Sequence, residues 1–154
     1  MSTQFSEVYD LFMTNVSDYR LTALFNQSSV DFENFLQAWL RYAINDFKIC
    51  DQDLSFNTTG DGFKIVLKDE NIIMLTILMV KWWLQKTVND VTQMNLHVTD
   101  KDFKFSSEAQ NLREKVSYLN IVKEQCSQAL TEYSIHRVTW VNWYNQNFDP
   151  TGGV

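Results

Sequence analysis

The stretch DENIIMLTILMVKWWLQKTVNDV, residues Asp69 to Val91, decides how the chain is read. From Ile72 to Leu84 only Thr76 and Lys81 interrupt the apolar residues, whereas a surface helix would show charge at every third or fourth position. A helix that is apolar on all sides has to be enclosed by other elements, so the stretch is expected as a central, buried helix over about 69–91. Asp69 is placed to cap it, Glu70 sits favourably in the first turn against the helix dipole, and Lys86 lies toward the other end. The apolar run is broken by Lys81 and falls short of the roughly 18 to 20 residues that cross a bilayer, which argues against a membrane span. Trp82 and Trp83 stand about 100° apart around the helix, so that one can serve the core and the other a partner.

A chain of 154 residues is long enough to bury a core without disulfides or metals, and it reads as one domain. One proline and four glycines, two of these in the last three residues, leave no linker on which to divide it. Cys50 and Cys126 lie far apart with no CxxC spacing, so reduced, packed thiols in a cytoplasmic setting are expected. The opening residues MSTQFSEVYD carry no basic residue and no apolar run, and a secretory signal is not expected. The net charge of −6 is unevenly spread: residues 1–62 hold nine acids against three bases, and the remainder is balanced. An acidic segment grips phosphates poorly. It serves either as a solvated surface or as a wall along which nucleic acid slides without sticking.

Working outward, Phe5, Val8, Tyr9, Phe12 and Val16 predict a first helix over 4–15 behind a cap at Ser2 or Thr3. Leu21, Leu24 and Phe25 suggest a second brief helix or turn. From Asp31 to Phe47, Phe32, Phe35, Leu36, Trp39, Leu40, Ala43, Ile44 and Phe47 keep one face of a helix capped by Ser29 or Asp31. The period then changes to alternation. Leu54-Ser55-Phe56, a Gly-containing loop and Phe63 to Leu67 are expected as a β-hairpin over about 54–67, packed on the helices or extended by a neighbouring subunit. After a polar connection anchored by Leu96, Val98, Phe103 and Phe105, Ser107 and Gln110 form a capping box for a long helix. Leu112, Val116, Leu119, Val122, Cys126, Ala129, Leu130 and Tyr133 form its apolar face. The fold class is therefore mainly α: a helical bundle around a buried central helix, with one β-hairpin.

Residues 1–137 are expected as the helical domain and 138–154 as an aromatic C-terminal arm, in which Trp140, Trp143, Tyr144 and Phe148 stand close together. These rings either complete the chain's own core or dock into another subunit or protein, since aromatic anchors dominate binding surfaces. With Phe56 and Phe63 of the hairpin they are the candidate interface residues. Asp51, Asp53 and Asp61 are the candidate channel-facing acids. Asp61 lies between glycines but lacks the alternating acids and terminal Glu of a calcium loop. His97 and His136 are the two histidines, with no HExxH, nucleophile elbow, phosphate loop or Cys/His metal spacing around them. Neither an enzyme nor a metal or cofactor is expected; a catalytic alternative would have to be sought around His97 and Asp100.

The succession DFENFLQAWLRYAINDFKICDQDL, then FKIVLKDENIIMLTILMVKWWLQ, then DKDFKFSSEAQNLREKVSYL resembles a family of small virion proteins of tailed bacteriophages, the head-to-tail connector or neck adaptor proteins. The likeness covers roughly residues 5–135, is one of pattern rather than of a chemical motif, and leaves the aromatic arm unmatched. It implies a virion protein of the neck, made in the host cytoplasm, that forms a ring of twelve copies with no membrane attachment. Such a ring binds the portal protein on one surface and the next neck or tail protein on the other, with genomic DNA passing through as non-specific cargo. A small acidic helical binding or regulatory protein acting as a monomer would share the composition.

Overall fold

Phe5, Val8, Tyr9 and Phe12 recur at intervals of three and four residues, and that spacing draws one apolar stripe along a helix. The computed structural model of the chain describes residues 2–16, 19–97 and 105–148, with side chains for 2–16, 21–90, 92, 110 and 112–136. Its α1 (Phe5–Asn15) buries all four residues of the stripe. The cap is Gln4 rather than Ser2 or Thr3: the Glu7 carboxylate accepts the Gln4 N–H at 2.9 Å. α2 (Tyr19–Gln27) and α3 (Ser29–Asp46) follow, and Ser28, one residue before the expected cap, accepts the Asp31 N–H at 3.2 Å. Phe32, Leu36, Trp39, Leu40 and Ala43 form the buried stripe of α3.

α4 spans Asp69–His97, longer than the expected helix, and α1, α3 and α5 (Phe105–Phe148) all pack on it, while α2 packs on α3. Ile72, Met74, Leu75, Leu78, Met79, Leu84 and Val88 of α4 are buried, each contributing about 1.5–3 kcal/mol by leaving water. The chain is therefore mainly helical around a central helix, as the sequence implies. Ile73, 51% exposed, marks the side that the neighbours leave open. The Lys68 carbonyl accepts the Asn71 and Ile72 N–H groups at 2.9 and 3.1 Å, so Asp69 is the first helical residue and not the cap; its charge still faces the helix dipole. Trp83 meets Phe12 of α1 edge-on at 6.5 Å, and Trp82 stacks on Tyr42 of α3 at 5.0 Å. Both tryptophans thus find neighbours within the chain, and both remain half-buried.

The hairpin expected over 54–67 is not formed. Among the described residues this stretch holds no strand, only two isolated antiparallel bridges, Phe56 with Phe63 and Gln4 with Gly62. The chain does turn back: the Asn57 N–H donates to Gly62 O at 2.9 Å, the Lys64 N–H to Ser55 O at 3.0 Å, and Gly60 takes a positive φ of 78° at the bend. Further along, the pairing partner is the N-terminal segment. Phe63 N–H donates to Thr3 O at 2.9 Å, Thr3 N–H to Ile65 O at 3.1 Å, and Phe5 N–H to Asp61 O at 3.0 Å. The Thr3 hydroxyl accepts the Leu67 N–H at 2.8 Å. Leu54-Ser55-Phe56 is too short a partner, and a two-stranded hairpin is marginal by itself, so the extended residues before α1 take the backbone groups instead. Gly62 permits this approach, because a Cβ there would lie 2.7 Å from Thr3 O.

α5 is a single helix of 44 residues, about 66 Å long at ~1.5 Å per residue. It starts at Phe105, so Ser107 lies inside its first turn rather than at its cap. Leu119, Val122, Cys126 and Tyr133 are buried, while Val116 is 38% exposed. Cys126 Sγ lies 3.8 Å from Ile77 O, and Tyr133 reaches the loop beside the first turn of α4, so the two helices run antiparallel. In that register Asp69 stands level with residues near 135, and residues 136–148 of α5 continue past the start of α4. The division expected at 137/138 falls inside this unbroken helix. The side chains of Leu96 and Phe105, and residues Val98 and Phe103, lie outside the described residues. No described helix is long and apolar enough to cross a membrane.

Candidate functional site

The seam between α4 and α5 carries the polar groups that the core does not explain, beginning at its Tyr133 end. The Asp51 carboxylate accepts the Tyr133 hydroxyl at 2.7 Å and the Asn71 amide at 2.9 Å, and it pairs with the Lys68 ammonium. In return the Asp51 N–H donates to the Tyr133 hydroxyl oxygen at 3.1 Å. Gln52 Oε1 accepts both the Asn71 amide and the Lys68 N–H at 2.7 Å, and its own amide donates to Val66 O at 3.0 Å. The loop after α3, the start of α4 and the middle of α5 are fastened here at one point, with the fully buried Phe47 ring 5.0 Å from Tyr133. The Asn71 side-chain oxygen, Oδ1, is buried in this clasp with no partner among the described residues.

Hydrogen bonds from Lys68, then from Asn71 and Tyr133, hold the Asp51 carboxyl well below the usual carboxylate range. Burial pushes the Tyr133 hydroxyl up, so it stays a donor. A carboxyl with a depressed folded pKa stabilises the fold above its unfolded value of about 3.9, and that contribution is lost as pH falls toward the folded value. The urea midpoint of the wild type is therefore expected to drop between about pH 5 and about pH 3, and that of Asp51→Asn to drop less. Equal acid slopes for the two proteins would remove Asp51 from this role.

Farther along the same seam lies a groove of about 340 Å³ lined by Lys81, Trp82, Gln85, Lys123, Cys126, Ser127 and Leu130. Lys81, the residue that interrupts the apolar run, pairs with Asp46 of α3 and lies 4.9 Å from the centre of the Trp82 ring. Asp46 also accepts the Trp82 indole N–H at 2.8 Å. This triad turns Trp82 toward Tyr42, which is 50% exposed and continues through Trp39 to Phe35 as a row of ring contacts along α3. Lys123 is exposed and has no carboxylate within ion-pair distance among the described residues. Burial raises the Cys126 thiol pKa, so the floor of the groove is an uncharged thiol. The arrangement is a concave face with an aromatic wall and one uncommitted cation. It is suited to holding an aromatic, acidic segment. The isolated Lys81 in the apolar run was the sequence signal for it; its partner Asp46 lies 35 residues away.

The residues singled out from sequence are placed separately. Phe63 is fully buried, edge-on to Phe5 at 5.2 Å, and serves this chain's own core. Phe56 is half-buried beneath Arg41, whose guanidinium lies 5.3 Å from the ring centre. Asp51 belongs to the clasp. Asp53 accepts the Ser55 N–H at 2.9 Å and the Ser55 hydroxyl, which lowers its pKa. Asp61 accepts the Thr59 hydroxyl and the Asn57 amide, with the same direction of shift. Each aspartate holds a local turn, and Asp53 and Asp61 border two different grooves. Trp140, Trp143, Tyr144 and Phe148 lie on the distal part of α5, where the backbone is helical and the side chains lie outside the described residues. His136 is exposed on α5, and His97 ends α4 with its side chain outside the described residues, as is Asp100. Among the described residues no group of three or more His, Cys, Asp or Glu is placed to hold a metal ion. No protein-family model, no curated protein and no solved structure matches the chain.

Proposed function

We propose that this chain is a non-catalytic assembly protein that works by docking. The observation that carries the reading is the length of α5, which runs on past the start of α4 and bears Trp140, Trp143, Tyr144 and Phe148 on that extension. A helix that outruns its partner has a segment to offer elsewhere, and aromatic residues supply most of the energy of docked surfaces. Together with the sequence resemblance, this supports a place in the neck of a tailed bacteriophage. Copies of the chain form a ring there, twelve in number, between the portal protein and the next neck or tail protein. Genomic DNA passes through the ring as cargo, and the acidic segment 1–62 suits a lining that does not retain it.

The test is electron cryomicroscopy of the purified full chain, alone and with a portal protein. A closed ring around an axial channel that caps the portal is the expected result. A monomer in both preparations would overturn the ring reading and favour the small acidic binding protein.

A further inference from the structure

The groove on the α4–α5 seam and the distal part of α5 have complementary chemistry, yet they cannot meet within one chain. Lys123 and Leu130, which line the groove, lie on the same unbroken helix as residues 140–148. At ~1.5 Å per residue, that segment begins about 15 Å beyond Leu130 and ends about 38 Å beyond Lys123. A continuous helix cannot fold back onto its own side. Trp140, Tyr144 and Phe148 recur at intervals of four, so their positions share one face, and the sequence continues with Asp149. The groove offers the Trp82 and Leu130 surfaces, and Lys123 as the cation with no carboxylate partner among the described residues. Lys81 in the same groove is already neutralised by Asp46. On the helical face of Lys123 the neighbours three and four residues away are Leu119, Asn120, Cys126 and Ser127, none of them acidic.

We infer that the groove receives the end of α5 from a second copy of this chain, with the aromatic residues against Trp82 and Leu130 and Asp149 against Lys123. The inference rests on the assembly reading above and names the two surfaces that would join neighbouring copies. Those surfaces are different patches of the same molecule. The contact is therefore heterologous and propagates head to tail, closing into a ring when the rotation per copy allows and otherwise extending as a filament.

The test is a charge exchange in the full chain, read by sedimentation equilibrium. Lys123→Glu and Asp149→Lys are each expected to weaken self-association about five- to tenfold, and the double variant to recover most of the loss. Lys123 is exposed and Asp149 lies outside the described residues; circular dichroism is expected to be unchanged in all three. Self-association that ignores both single variants, a double variant no better than the singles, or a monomeric wild type would overturn the inference. Rings that persist unaltered in the single variants would sink this contact and leave the assembly reading standing. Restored association in the double variant without any attachment to a portal would support the contact while the neck assignment fell.

Discussion

Phe63→Ala is expected to lower the unfolding free energy by about 3–5 kcal/mol, a large part of the roughly 5–15 kcal/mol that a domain has to lose. The ring is fully buried, edge-on to Phe5 at 5.2 Å and to Phe56 at 6.1 Å. Around it the backbone is committed as well, since the Phe63 N–H donates to Thr3 O. Truncation leaves a cavity that this pinned loop cannot collapse to fill, which places the cost in the upper part of the range for core phenylalanines. The measurement is urea unfolding followed by far-ultraviolet circular dichroism. A loss below about 1 kcal/mol, the scale of a surface substitution, would take Phe63 out of the core. It would return the ring to the interface role that its hairpin position suggested.

Deleting residues 138–154 should abolish self-association and leave the helical body folded, with a stability change of about 1 kcal/mol or less. The buried residues of α5 among those described, Leu119, Val122, Cys126 and Tyr133, all precede the deletion, and Cys126 reaches Ile77 of α4. Beyond residue 135 the register leaves α5 no α4 residues to pair with. The truncated chain is expected to sediment as a monomer with a cooperative thermal transition close to that of the full chain. Loss of helical signal beyond that of the deleted helical residues 138–148, or loss of cooperativity, would show that the distal aromatic residues complete the core, and would remove the observation on which the assembly reading stands.

Most burial was legible where apolar residues repeat with the helical period, Val116 of α5 being an exception at 38% exposed. The stripes on Phe5 to Phe12 and Phe32 to Phe47 mapped onto observed helices, because one side of a helix can be buried only if the repeat follows 3.6 residues; the apolar run of α4 was legible for another reason, that so much apolar surface has to be enclosed by neighbours. Caps were less legible. Asp69 and Ser29 are good cap residues, but neighbours took the position, since any of several polar residues near a helix start can satisfy the first N–H groups. The expected hairpin failed for a similar reason: alternation in 54–67 marks extended chain but does not name its partner. Thr3 to Phe5 won the pairing because they are held alongside by the same Phe5–Phe63 contact that the core requires.

Sequence by itself determined the helical class, the identity of the central helix and the stripes that face it, because these follow from local periodicity and the removal of apolar surface from water. Tertiary structure decided what the isolated polar residues do. Asp51, Asn71 and Tyr133 meet across as many as 82 residues, and Lys81 meets Asp46 across 35. No local rule specifies contacts at such separations; they arise only when packed helices bring distant side chains within hydrogen-bonding reach. The antiparallel register that carries α5 past α4 is of the same kind. It is set by which buried residues of two helices interlock, and not by the pattern of either helix alone.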